Sequence, residues 1–161
     1  MTKGESGSEN QTRPSRLWRY LPLVVWMVLI FFASTAEFSA TNTNLLIQPL
    51  LRWLFPYITE ERIAIVHFLI RKCGHFTEYA ILSLLAARAF ITSSRTGLGR
   101  SWFIATLLLV CLYALSDEYH QSFVASRSAS YYDSLIDILG GLTALVFFAR
   151  RQKRKALGAK H

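Results

Sequence analysis

Apolar residues along the chain gather into four runs, and three of these run out before they are long enough to cross a bilayer. A spanning helix needs about 20 residues. The first run, Leu17 to Ser34, opens on Trp18-Arg19-Tyr20 and ends in a polar stretch through Asn44. The second ends near Ile91, and counting back starts its membrane portion near Lys72. The third begins at Ser101-Trp102, but its apolar part stops at Leu115, so the helix has to continue through Ser116-Asp117-Glu118-Tyr119-His120-Gln121. The fourth ends at Phe148-Ala149 and starts near Ala129 or Ser130. Polar residues are thereby drawn into the ends of three helices.

Between the first two runs, Leu45 to Arg71 carries too few apolar residues for a span and is interrupted by Pro49 and Pro56. The predicted element there is an interfacial helix broken at those prolines. Thr59 before Glu60-Glu61 predicts the N-cap of a helix that runs on into the second span, with Gly74 as its kink point. The expected fold class is an all-α membrane protein, a four-transmembrane-helix bundle with a short interfacial segment between the first two spans. Its expected divisions are a disordered N-terminus over 1–16, a membrane domain over 17–149 and a basic tail over 150–161.

Composition and charge agree with this outline. Of 161 residues 52% are hydrophobic, and the formal net charge is +8. The basic residues flank apolar runs instead of covering a folded face, which argues for a bilayer as the partner and against nucleic acid. With both termini inside, the cytoplasmic side holds Lys3, Arg13, Arg16, Arg19, Arg88, Arg95, Arg100, Arg150, Arg151, Lys153, Arg154, Lys155 and Lys160, which is 13 of the 18 basic residues. The outer side keeps Arg52, Arg62, Arg71, Lys72 and Arg127 with eight of the ten acids. The positive-inside rule therefore predicts a multi-pass protein of the cytoplasmic (inner) membrane with both ends in the cytoplasm. No cleavable signal peptide is evident, and Cys73 and Cys111 form no CxxC pair, so buried packing is the default for both.

That topology puts the unusual polar residues on one side. Lys72, His75, Glu78 and Tyr79 share a helix face at i, i+3 and i+4 spacing, as do Tyr113, Asp117, His120 and Gln121, with Glu118 beside them. Asp133 and Asp137 lead to Gly140-Gly141 on the fourth helix, after a loop holding Arg127. At about 1.5 Å per residue, Glu78 and Asp137 sit roughly 10 Å below their helix entrances. A carboxylate facing lipid there costs on the order of 2–3 kcal/mol. These groups are therefore expected to face one another in a polar cup.

Plainer readings exist for several members. Asp133 answers Ser130 in a capping box, Lys72 snorkels, Asp117 and Glu118 solvate a helix end, and the glycines allow close helix packing. Such readings are weakest for His75 with Glu78 and for Asp137, whose expected partner is Arg127 or, failing that, His75.

The run Lys72-Cys73-Gly74-His75-Phe76-Thr77-Glu78-Tyr79-Ala80-Ile81-Leu82 resembles the K-x-x-H-F-x-E-Y-x-x-L block of the VanZ-like family. Ser116 to Phe123, then Arg127, then Asp133 to Gly140 resemble its next blocks in order, so the resemblance covers roughly Ile63 to Phe148. Ala125-Ser126 departs from the Pro-Gly often found before the arginine. The resemblance implies a small integral membrane protein, in a family whose founding member is associated with low-level resistance to the glycopeptide teicoplanin. It does not imply a reaction, and no nucleotide-binding glycine loop is present.

Two readings of the cup follow. In one it is an enzyme site for an envelope lipid or glycan. His75 serves as general base or metal ligand, oriented by Glu78 or Asp137. Asp117 and Glu118 supply acid, base or ligand oxygens, and Arg127 holds an anion. Lys72, Tyr79, His120, Gln121 and Asp133 complete the substrate-binding set. A divalent cation such as zinc would find donors there, though the spacing matches no dedicated metal motif, and no cofactor follows from the sequence. In the other reading the cup is a hydrogen-bond network that locks the helices and binds an amphiphile or a partner. Ion movement is the weakest option, because Ile81 to Ala87 and Leu107 to Leu112 offer almost no polar relay.

Overall fold

A computed structural model describes residues 16–34, 40–123 and 131–158. The described residues form six helices: α1 Arg16–Ala33, α2 Ala40–Leu54, α3 Glu60–Ile91, α4 Thr96–Arg100, α5 Trp102–Gln121 and α6 Tyr131–Gly158. Most of the predicted N-terminal tail and Arg127 lie outside the described residues.

The packing centres on α3, which meets α6 most extensively, then α5 and α1, while α5 also packs on α6. Small residues make this possible, because Ala86, Ala87 and Ala89 of α3 are fully buried and let neighbours approach. At Gly140 the approach reaches backbone distance, since a Cβ there would run into the carbonyl oxygen of Phe76. A Cβ on Gly141 would lie 2.6 Å from Val110 Cγ1. Both glycines are helix-packing positions.

Hydrogen bonds fix how α1 lies against α3 and α5. Arg19 donates to the hydroxyl of Ser94 and Tyr20 to that of Ser93, each at 3.1 Å, which ties the start of α1 to the turn after α3. At the opposite end Gln121 donates to Ser34 Oγ at 3.4 Å. Trp26 donates to the Glu78 carbonyl at 2.9 Å and Tyr113 to the Met27 carbonyl at 2.5 Å. One end of the bundle therefore collects the basic turn, and the other collects the acids.

Polar and apolar residues are inverted relative to a water-soluble bundle. Asp117, Glu118, Gln121, Asp133, Ser134 and Asp137 are buried, while Ile104, Leu108, Leu112, Leu115 and Tyr119 form an exposed stripe along α5. Each such side chain gains about 1.5–3 kcal/mol in apolar surroundings, so this surface belongs against lipid. Two helices, α5 and the Tyr132–Gly158 part of α6, are long and apolar enough to cross a membrane. Of the other two predicted spans, the apolar stretch of α1, Leu17–Ala33, is shorter, and α3 carries Arg71, Lys72, Glu78 and Arg88.

Four expectations need correction. Pro49 lies inside α2 and does not break it, because one lost amide donor leaves the bonds of the flanking turns in place. The element between the first two runs is accordingly a 15-residue helix, and α3 begins right after Thr59, whose side chain makes no cap bond. The fourth helix does not end at Phe148-Ala149, since α6 continues through the basic residues to Gly158. Cys73 is exposed, not packed inside, and both cysteines are free.

Candidate functional site

Three helices meet at the acidic end of the bundle, and each contributes one face. The first half of α3 brings Lys72, His75, Glu78 and Tyr79, the last turns of α5 bring Asp117, Glu118 and Gln121, and the first turns of α6 bring Asp133, Ser134 and Asp137. The antiparallel run of α5 against α3 and α6 puts its polar C-terminal end beside their polar N-terminal halves. The i, i+3, i+4 spacing then aims each set inward.

At the centre, Nδ1 of His75 lies 3.2 Å from Oδ1 of Asp137. The Arg127 alternative for Asp137 falls outside the described residues, and His75 is the partner among those described. Asp137 is 1% exposed, and its carboxylate meets no other donor among the described residues. Asp117 closes the group, with one donor atom each from His75, Asp117 and Asp137 lying within 4.8 Å of one another. Glu78 lies within electrostatic range of both His75 and Asp137. Tyr79 is 0% exposed, its hydroxyl has no hydrogen-bond partner, and it is within electrostatic range of Asp117 and Asp137. One imidazole and two carboxylates buried together can hold a divalent cation, or can work as a base with its orienting acid.

A second group, nearer the helix entrances, is held by ion pairs. Lys72 pairs with Asp133, and Arg71 stands 3.8 Å from the other oxygen of that carboxylate. The Lys72 ammonium also sits over the Phe68 ring, 5.1 Å from its centre. The Ser130 half of the proposed capping box lies outside the described residues, and Asp133 spends its oxygens on the two cations.

Gln121 donates to Asp117 Oδ2 at 2.9 Å, steadying that side chain while also reaching Ser34. His120 turns away from the carboxylates and stacks on Phe31 of α1, with ring centres 4.5 Å apart. Glu118 is buried and within electrostatic range of Lys72.

Ser83 and Ser134 were not singled out by the sequence, although Ser83 continues the Tyr79 face by one turn and Ser134 precedes Asp137 by three residues, so helical spacing carried a faint signal for both. Ser34 and Arg71 were expected at the outer side, but their contacts with Gln121 and Asp133 depend on how α1 and α6 dock onto α3.

The family model for VanZ/LLP1 matches residues 18–152. No curated protein and no solved structure matches the chain.

Proposed function

The chain belongs to the VanZ/LLP1 family, and from that premise we propose that it is a multi-pass protein of the cytoplasmic membrane whose polar cup acts on an amphiphilic component of the cell envelope. In this reading α1, α3, α5 and α6 cross the bilayer and both termini are cytoplasmic. The cup then opens toward the outer leaflet, within reach of an envelope lipid or a lipid-linked glycan. A change in such a molecule would also alter sensitivity to glycopeptide antibiotics, the phenotype that the family resemblance implies.

The observation that carries this reading is the difference between the two polar groups. Asp133 is paired with Lys72 and Arg71, which ties α3 to α6 as a structural network would. His75, Asp137 and Tyr79 are more deeply placed, yet among the described residues the Tyr79 hydroxyl and the second Asp137 oxygen lack hydrogen-bond partners. Unsatisfied buried polar atoms cost about 1–3 kcal/mol each, which a scaffold gains nothing by keeping. They are the expected feature of a pocket that completes its bonds with a ligand.

His75, with Asp137 beside it, serves as base or metal ligand, and Asp117, with Glu78 and Glu118, supplies acid or ligand oxygens. Arg127, in the loop between α5 and α6, holds the anionic headgroup.

The test is a deletion strain complemented with wild type, His75→Ala or Asp137→Asn, with envelope lipids and glycans compared by mass spectrometry. Wild type restores the parental profile, and both variants fail to do so at normal membrane abundance. Full restoration by either variant, or failure only in proportion to lost protein, would refute an active cup in favour of the scaffold.

A further inference from the structure

We propose that His75, Asp117 and Asp137 bind one divalent transition-metal cation of the zinc type at the centre of the cup. This deepens the proposed function by naming what the site holds, and it rests on the cup being a site and not a structural network.

Three observations converge on a cation. First, the donor atoms of the three side chains lie within 4.8 Å of one another on three different helices. Ligands in a tetrahedral shell stand about 3.4 Å apart, so modest side-chain rotation closes the set around an ion. Second, His75 Nδ1 and Asp137 Oδ1 are 3.2 Å apart, a separation that two ligands of one ion adopt. Third, the fully buried Tyr79 hydroxyl has no hydrogen-bond partner and lies within electrostatic range of both aspartates. It is placed to meet a water or substrate oxygen on the ion.

Charge balance points the same way. Two carboxylates in a low-dielectric pocket are costly, and Lys72, the neighbouring lysine, is taken by Asp133. A dication with two carboxylates and a neutral imidazole is a neutral unit. The mixed nitrogen and oxygen donors suit zinc or manganese better than the all-oxygen preference of calcium or magnesium. Gln121, donating to Asp117 Oδ2 at 2.9 Å, is the outer support expected for a metal-bound carboxylate. Three protein ligands leave a position open, which is the arrangement of a catalytic rather than a structural site.

The experiment uses the full chain, free of any histidine tag, purified in detergent, stripped with chelator and reloaded with Zn2+ or Co2+. The expected result is about one ion per chain by elemental mass spectrometry and visible absorption from bound Co2+ that Zn2+ displaces. His75→Ala, Asp117→Asn and Asp137→Asn each weaken Zn2+ binding by more than about 100-fold. His67→Ala, which removes an imidazole outside the cup, leaves it unchanged. The Co2+ spectrum of the wild type decides the matter even where a variant fails to fold. A wild type with no Co2+ absorption and no stoichiometric Zn2+ overturns the proposal, as does binding that persists in well-folded His75→Ala and Asp137→Asn. Loss of the envelope effect in His75→Ala without any metal would overturn the cation alone. Stoichiometric metal with an unaltered envelope would support the cation and remove the proposed function.

Discussion

Replacing glycine by alanine at three positions should separate helix propensity from helix contact in this bundle. Gly140 faces the backbone of α3, where an added Cβ would overlap the Phe76 carbonyl oxygen. No side chain stands between them to yield, so α3 and α6 have to part. Overpacking of this kind costs up to about 3 kcal/mol. Alanine returns about 1 kcal/mol through helix propensity. The net loss for Gly140→Ala is therefore about 2 kcal/mol. Gly74 has nothing within 4 Å of its Cβ position, so Gly74→Ala shows only the gain, about 1 kcal/mol. Gly141→Ala falls between, because it meets the Val110 side chain at 2.6 Å and that side chain can rotate.

The gap of about 3 kcal/mol between Gly140→Ala and Gly74→Ala corresponds to roughly 6–12 °C in Tm for a chain of this size. Thermal unfolding of the three detergent-purified variants, followed by circular dichroism, reads it directly. Gly140→Ala should also weaken the envelope phenotype, because His75 precedes Phe76 and Asp137 lies three residues before Gly140. Equal Tm values for Gly140→Ala and Gly74→Ala would refute backbone contact between α3 and α6.

The ion pair at the mouth of the cup should show strong coupling. Asp133→Ala alone strands the half-buried Lys72 and costs about 3 kcal/mol, while Lys72→Met with Asp133→Leu recovers most of it, as measured by a double-mutant cycle of unfolding. In a background lacking Cys73 and Cys111, Arg127→Cys should react with an impermeant maleimide from outside intact spheroplasts and Arg95→Cys should not. Labelling of position 95 from outside would reverse the proposed orientation.

How much of this was legible beforehand differs from one residue to another. Helical content, the long α5 that carries Asp117 to Gln121, and the shared faces of Lys72, His75, Glu78 and Tyr79 follow from spacing alone. Helix periodicity is a local property, and the bilayer imposes a minimum length that drew polar residues into the helix ends. The gathering of the acids at one end also follows from sequence, since alternating helix direction sorts residues by position along the chain. Tertiary structure decided who meets whom. Helix depth offered His75 as one of two partners for Asp137, but nothing local says that Lys72 is committed to Asp133 or that His120 stacks on Phe31. Those choices depend on the rotation of each helix about its own axis. Here the rotation is set by two glycines without a Cβ, which let α6 settle against the backbone of α3 and against Val110 of α5.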